Sequence, residues 1–443
     1  MLKEHKCNRT TRIKMQPTAL PDYKNKITNL QIATIFICFL MNMLDGMDVM
    51  VISYTAPNIA KEWAVKSSAL GIVFSMGLMG MAIGAMLLAP RADIIGRRNM
   101  ILICAVLMGA CVFTTQFAQS KEQMIFFRII SGIGIGGMLA STATLASEYA
   151  PKKNKDFWIS FVMSVYPIGA VLSGMVAAQV IPAEGWRAMF RLAGIATVLT
   201  LPIIYLFLSE SLIFLLETQP SNALNRANAI LTKMNAAPIS ELPPIQIKNK
   251  QASISSLFSE NRRDATLQLW VAIFMAFSAL YFLTMWIPKL ASSAGMSESL
   301  AIYAGTVFNS GAFFGIVSQG YLSDKFGLRK VIFYYLVSTA VLMCVFGFFN
   351  GSSMVLIILF GLLGFGIQGG FIGLYAVAAR LYPTEIRTTG IGAAIGLGRI
   401  GAIVGPLLGG FLIDAGLSMT NNFIIFAIPT LIAGLVTLMI KMK

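Results

Sequence analysis

The sequence predicts an all-α membrane protein of twelve transmembrane helices in two six-helix halves. Three observations carry this. Of the 443 residues, 56% are hydrophobic and only 12% charged, with a mean hydropathy of +0.74; a soluble domain carries about 25% charged residues. Apolar runs of about 17–25 residues, each long enough to cross the hydrocarbon core, centre near residues 43, 80, 109, 137, 169, 199, 276, 310, 339, 365, 401 and 431. The two halves also repeat at an offset of about 232 residues. Gly132-Ile-Gly134-Ile-Gly136 matches Gly364-Phe-Gly366-Ile-Gln368. Pro151 matches Pro383, and Ile168-Gly169-Ala170-Val171 matches Ile400-Gly401-Ala402-Ile403. Asp93 matches Asp324 one residue out of step.

In chain order, residues 1–29 read as a polar tail, 30–208 as the first six-helix bundle, 209–265 as a polar linker and 266–440 as the second bundle. The tail has no cleavage-site pattern, so no removable signal peptide is expected. The linker carries Pro243-Pro244 and a possible amphipathic helix at Ser221–Met234. With both ends placed on the inner side, Lys and Arg segregate roughly 26 inside to 6 outside. The net charge of +15 is therefore a topology signal rather than a nucleic-acid patch. His5 is the one histidine, and Cys7, Cys38, Cys104, Cys111 and Cys344 have no metal-ligand spacing. No cofactor is expected. No nucleophile–base pair occurs in the spans, which weighs against a membrane enzyme.

Asp45 and Asp48 stand out in the first span. An ionised carboxylate at membrane depth costs about 2.5–3.5 kcal/mol on insertion scales. Three residues apart, the two lie on one helix face. Such a pair needs a watery cavity, a proton or a cation; the plain alternative is a structural polar pair facing a neighbouring helix. At 1.5 Å per residue, Asp48 lies about 12 Å and Asp45 about 16 Å below the outer surface, and Arg128 in span 4 about 10 Å below it. Arg128 is expected to pair with Asp48 or with the couple, the alternative being carbonyl packing. Arg399, near mid-depth in span 11, has Pro167 as its repeat partner, and the Asp pair has no acidic counterpart in span 7. A guanidinium binds a carboxylate bidentately and keeps its charge when buried. This division assigns proton coupling to Asp45, Asp48 and Arg128, and a substrate carboxylate to Arg399. Binding to span-10 carbonyls is the other account of Arg399. Asn309 and Gln368 are further substrate candidates, because amides in apolar helices need partners. Tyr281, Phe282, Trp286, Phe308, Phe313, Phe371 and Tyr375 are the aromatics near the presumed cavity. The Gly132–Gly136 run follows no strand, so it reads as helix packing and not as a nucleotide loop.

Gly320-Tyr-Leu-Ser-Asp324-Lys325-Phe-Gly327-Leu-Arg329-Lys330 resembles the loop signature of the major facilitator superfamily. Its partner is Ala89-Pro-Arg-Ala-Asp93-Ile-Ile-Gly96-Arg97-Arg98, which departs from the pattern at Ala89 and Ile94. Arg128-xxx-Gly132-x-Gly134-x-Gly136 resembles the helix-4 signature. More narrowly, Asp45-Gly46-Met47-Asp48 resembles the motif of the aromatic acid:proton symporters. Trp186-Arg187, Glu210-Ser211 and Tyr382-Pro383-Thr384-Glu385-Ile386-Arg387 fit that family less specifically. The resemblance implies import of an organic anion with a proton by alternating access, most simply a benzoate- or hydroxybenzoate-like acid or a relative such as muconate. It also implies that Asp93, Arg97, Arg98, Glu148, Asp324, Lys325, Arg329 and Arg387 gate the inner mouth, the alternative being solvated loops. The chain is expected in the cell inner membrane, working as a monomer. Drug efflux on the same fold is the competing reading; span 5, Gly169-Ala-Val-Leu-Ser-Gly174, lacks the Gly-Pro pair usual in efflux members.

Overall fold

The structure is a computed structural model that describes residues 27–151, 155–244, 254–259, 262–348, 352–383 and 386–441. The basic residues of the tail up to Lys26, together with Lys152, Lys153, Lys248, Lys250, Thr384, Glu385 and Lys443, lie outside the described residues. The helices run α1 (Asn29–Trp63), α2 (Ser67–Ile95), α3 (Arg97–Thr115), α4 (Lys121–Tyr149), α5 (Lys155–Glu184), α6 (Trp186–Val198), α7 (Thr200–Phe207), α8 (Leu212–Thr218), α9 (Ala223–Lys233), α10 (Arg263–Ser293), α11 (Glu298–Phe326), α12 (Leu328–Phe348), α13 (Ser353–Leu381), α14 (Arg387–Asp414) and α15 (Met419–Met439). Among the described residues, twelve spans are long and apolar enough to cross a bilayer, with α6 and α7 together forming one of them.

Local chemistry sets the ends. Thr28 and Gln31 form a capping box at the start of α1, and Ser120 and Ser418 cap α4 and α15 by accepting a backbone N–H. Gly96 and Gly327 hold the tight turns α2–α3 and α11–α12 at φ of 97° and 89°, a backbone region that favours glycine. They occupy matching places in the two halves. The sixth span is interrupted at Leu199, which the sequence reading did not anticipate. Pro202 has no N–H for the Val198 carbonyl, so the helix breaks at Leu199. The amphipathic helix read at Ser221–Met234 is present as α9, burying Ala223, Ala227, Ile230 and Leu231.

The repeat appears in the packing. A Cβ on Gly80, Gly84 or Gly136 would lie 2.0–2.3 Å from a backbone oxygen of the facing helix in the α2/α4 pair. Gly311, Gly315 and Gly364 do the same at 1.8–2.1 Å in α11/α13. Without a hydrophobic drive between helices in lipid, backbones associate by such close approach. The innermost spans are α1 and α10, each 72% buried over its most apolar window.

The face away from the chain ends is closed by contacts between the halves. Ser53 donates to the Thr284 and Met285 carbonyls, Ser75 to Ile403, and Ser299 to Ala178. Asn58 donates to Glu298 at 2.6 Å, and Asp414 accepts from the backbone N–H groups of Ser67 and Ser68, both at 2.8 Å. Among the described residues, no hydrogen bond joins the two bundles between mid-depth and the terminal face. Asp414 acts as a cap for α2 borrowed from the other half. Asp414→Ala should therefore weaken this closed face by about 1 kcal/mol, the usual worth of such a cap. The check is faster labelling of Ser75→Cys by an impermeant thiol reagent; an unchanged rate would show that the cap contributes nothing to closure.

Candidate functional site

Asp45 and Asp48 lie half-way along α1, 0% and 1% exposed. Gly46 between them is where α5 crosses. A Cβ there would be 2.1 Å from the Tyr166 carbonyl oxygen, and one on Gly169 would be 1.9 Å from that of Met43. The glycine of the Asp-Gly-x-Asp motif is thus a packing requirement that brings Tyr166 against the acid pair. Gly46→Ala should push α1 from α5 and destabilise the protein by about 1–3 kcal/mol, as overpacking does. A detergent melting curve matching wild type would contradict this.

Arg128 reaches Asp48 from α4. One terminal nitrogen lies 3.1 Å from the Asp48 Oδ1, and the other donates to the Asp48 backbone carbonyl at 3.3 Å. The guanidinium also sits over the Phe190 ring of α6, 5.4 Å from its centre. The depth estimate placed these two residues level, and they meet. Asp45 has no such partner: both its carboxylate oxygens are buried without a hydrogen bond, as are Asp48 Oδ2 and Arg128 Nε. Beside Arg128 lies a cavity of about 20 Å³ walled by Phe74, Met81, Ser131 and Met285, room for about one water.

Arg399 of α14 is half-buried. Its side chain contacts Met81 Sδ at 4.0 Å, and its buried Nε has no acceptor. Met81 also walls the Arg128 cavity, so one methionine separates the two deep cations. The carbonyl packing considered for Arg399 is not made among the described residues. Next to it, Gly398 leaves space for the Phe277 ring, 2.4 Å from where a Cβ would stand. Phe277 stacks on Tyr281 with centres 5.9 Å apart and meets Phe371 edge-on at 4.6 Å; Phe371 in turn meets Tyr375 at 5.3 Å. Gln368 is half-buried and shares the α13 face of Phe371 and Tyr375. Tyr166 was missed by sequence reasoning. Its hydroxyl is buried without a partner, within electrostatic reach of Asp45, Asp48, Tyr281 and Arg399. The available signal was a phenol beside Pro167 inside an apolar span.

Other candidates stand elsewhere. Asn309 donates to the Gly305 carbonyl at 2.9 Å and faces Met50 Sδ at 3.8 Å, in the contact of α11 with α1. Trp286 donates to the Pro406 carbonyl, Phe282 stacks on Phe426, and Phe308 is fully buried. On the terminal face, Arg97 bridges Asp93 at 3.0 Å and Glu148 at 2.7 Å and donates to Ser211. The Arg98 and Ser211 backbone N–H groups converge on Glu210 Oε1. Glu210 and Ser211 therefore close this network. In the other half Asp324 and Lys325 are exposed, Arg329 donates to the Leu438 and Ile440 carbonyls, and Arg387 donates to the Tyr382 carbonyl at 3.2 Å. Each set holds its own half; no ion pair of these residues crosses between halves among the described residues.

Twelve spans in two repeated halves, with charged groups buried at mid-depth near their interface, define a secondary transporter. Comparison with known proteins agrees. The Major Facilitator Superfamily profile matches residues 38–319 and 290–442. A benzoate transport protein of Acinetobacter baylyi is 32% identical over 426 residues, 93% of this chain and 90% of that one. A gallate transporter of Pseudomonas putida is 30% identical over 423 residues, 94% of each chain. A crystal structure of a D-xylose-proton symporter superposes with a TM-score of 0.73 at 18% identity, covering 92% of this chain and 97% of that one. The chain belongs to the Major Facilitator Superfamily and is a multi-pass membrane transporter.

Proposed function

We propose that this protein imports an aromatic carboxylate together with a proton, across the inner membrane, with both chain ends cytoplasmic. The observation that carries the reading is the separation, among the described residues, of one buried carboxylate without a hydrogen-bond or ion-pair partner, Asp45, from one half-buried cation without an acidic partner, Arg399, near mid-depth. Asp48 and Arg128 neutralise each other. With Asp45 ionised and the site empty, the four groups sum to zero charge. With Asp45 protonated and a monoanionic substrate on Arg399, they sum to zero again. Substrate alone or proton alone leaves one unit of charge at membrane depth, which is costly. Reorientation is thereby restricted to the empty and doubly loaded forms, which couples the two fluxes.

The aromatic frame of Phe277, Tyr281, Phe371 and Tyr375 beside Arg399 suits a planar ring. Relatives named for benzoate, gallate and, in Pseudomonas aeruginosa, 4-hydroxybenzoate transport support the same substrate class. In this reading Gln368 and the Tyr281 and Tyr375 hydroxyls contact ring substituents. Both halves of the site belong to one chain, so a monomer suffices. The lysine and arginine excess on the terminal face supports the orientation.

The test is uptake of a labelled panel of aromatic and aliphatic acids by cells, with and without a protonophore. Accumulation of an aromatic acid that collapses with the protonophore is the expected result; accumulation that survives it would end the proton-coupled reading. Arg399→Lys keeps the charge and loses the planar fork. It should weaken apparent substrate affinity about tenfold, the loss of about 1.4 kcal/mol. Unchanged affinity would take Arg399 out of the binding site.

A further inference from the structure

Arg399 ends a row of contacts between the halves. Along α14, residues 399, 403, 406, 410 and 414 follow at three- or four-residue spacing, so they share one face. That face lies on α2. The Asp414 carboxylate caps Ser67 and Ser68, and a Cβ on Gly410 would stand 2.6 Å from the Ser67 carbonyl oxygen. A Cβ on Gly71 would stand 2.8 Å from that of Pro406, and Ser75 donates to the Ile403 carbonyl at 2.6 Å. These contacts are hydrogen bonds or close backbone approaches. The innermost one differs: an Arg399 terminal nitrogen meets Met81 Sδ at 4.0 Å.

The backbone fixes where Met81 stands. A Cβ on Gly132 would be 3.0 Å from the Met81 nitrogen, and one on Gly136 would be 2.1 Å from its carbonyl oxygen, so α4 holds residue 81 in place. The long, unbranched side chain can still adjust. Met81 is 2% exposed and walls the cavity of about 20 Å³ beside Arg128. That volume takes about one water, so a carboxylate on Arg399 cannot pass to Arg128 while Met81 stands there. A guanidinium offers only donors, and a thioether is a weak acceptor. Among the described residues, Arg399 has no carboxylate, carbonyl or amide partner in place of that sulfur. A strong internal acceptor would have to be displaced by every substrate that arrives. A weak one keeps the guanidinium in position and gives way.

We propose that Met81 is a placeholder acceptor, a positioning residue that holds the empty Arg399 by a contact weak enough for a substrate carboxylate to replace, and so sets substrate affinity. This rests on the reading that Arg399 binds the substrate carboxylate. On binding, the carboxylate oxygens take the guanidinium N–H groups and the thioether turns aside.

The test is the half-saturating benzoate concentration for counterflow in vesicles holding the full-length protein. Met81→Gln has a similar shape and a strong acceptor. It should raise that concentration about tenfold, because a hydrogen bond to a charged group is worth at least that factor. The loss should fall on half-saturation and not on the maximal rate, whereas a packing defect would lower the rate and the melting temperature. Met81→Leu removes the acceptor at similar volume and should bind about twofold more tightly. Should the amide variant fail to insert, Met81→Glu serves instead: its carboxylate pairs with Arg399 and should abolish saturable counterflow. Unchanged half-saturation in Met81→Gln, weaker binding in Met81→Leu, or retained affinity in Met81→Glu would overturn the proposal. Arg399→Lys is measured alongside. If it binds as wild type does, the assignment of Arg399 to substrate fails and the proposal with it. If it weakens binding while Met81→Gln does not, only the placeholder role fails.

Discussion

Asp45→Asn should leave an inserted, folded protein that exchanges substrate but no longer accumulates it. The change keeps the shape and removes the ionisable oxygen. Asp45 makes no hydrogen bond or ion pair that the substitution would break, so stability should stay within about 0.5–1 kcal/mol of wild type. The neutral amide mimics the protonated form permanently. Substrate on Arg399 then completes the charge balance without a proton from either side. In vesicles with an imposed pH gradient, wild type should concentrate substrate, whereas the variant, whose empty form carries one uncompensated charge, should show no net uptake. Counterflow against preloaded substrate should persist. Accumulation by the variant driven by the pH gradient would remove Asp45 from the proton pathway; loss of counterflow would reassign it to substrate binding.

Arg128→Ala is expected to be the most destabilising single change in the site. It leaves Asp48 buried at 1% exposure without its countercharge. Breaking a buried pair from one side costs about 3–5 kcal/mol, because the remaining charge has neither water nor partner. It also removes the contact with the Phe190 ring. Asp48→Asn/Arg128→Gln removes both charges and should melt closer to wild type than Arg128→Ala. A double-mutant cycle on detergent stability measures the pair. Coupling below about 0.5 kcal/mol would show that the 3.1 Å contact carries no energy.

Much of the site was legible one helix at a time. The cost of charge at membrane depth singled out Asp45, Asp48, Arg128 and Arg399 from an apolar background, and a 1.5 Å rise placed Asp48 and Arg128 at one level. The polar amides were harder. Asn309 and Gln368 carry the same functional group in similar apolar surroundings. Asn309 spends its amide on Gly305 within the α1–α11 contact, while Gln368 lies on the α13 face of Phe371 and Tyr375. Nothing local separates those two outcomes. Aromatic residues behaved the same way: Trp286 and Tyr281 are five residues apart on one span, yet Trp286 is locked to Pro406 and Tyr281 stands in the ring cluster near Arg399.

By itself the sequence determined the number and order of spans, the internal repeat and the depth of the charged residues. These follow from run length and from one-dimensional spacing. Its lysine and arginine distribution carries the reading of which face the termini occupy. Only the tertiary structure decided that Arg128 takes Asp48 and leaves Asp45 alone, and that Gly46 is closed by the Tyr166 backbone. It also decided that Met81 separates Arg128 from Arg399, and that, among the described residues, the hydrogen bonds closing the halves against each other lie from mid-depth to the face away from the chain ends. The physical reason lies in the solvent. In a bilayer the lipid-facing and protein-facing sides of a helix are both apolar, so hydrophobicity does not report which side turns inward. That orientation is set by where glycines let two backbones approach, a property of helix pairs and not of any single stretch of chain.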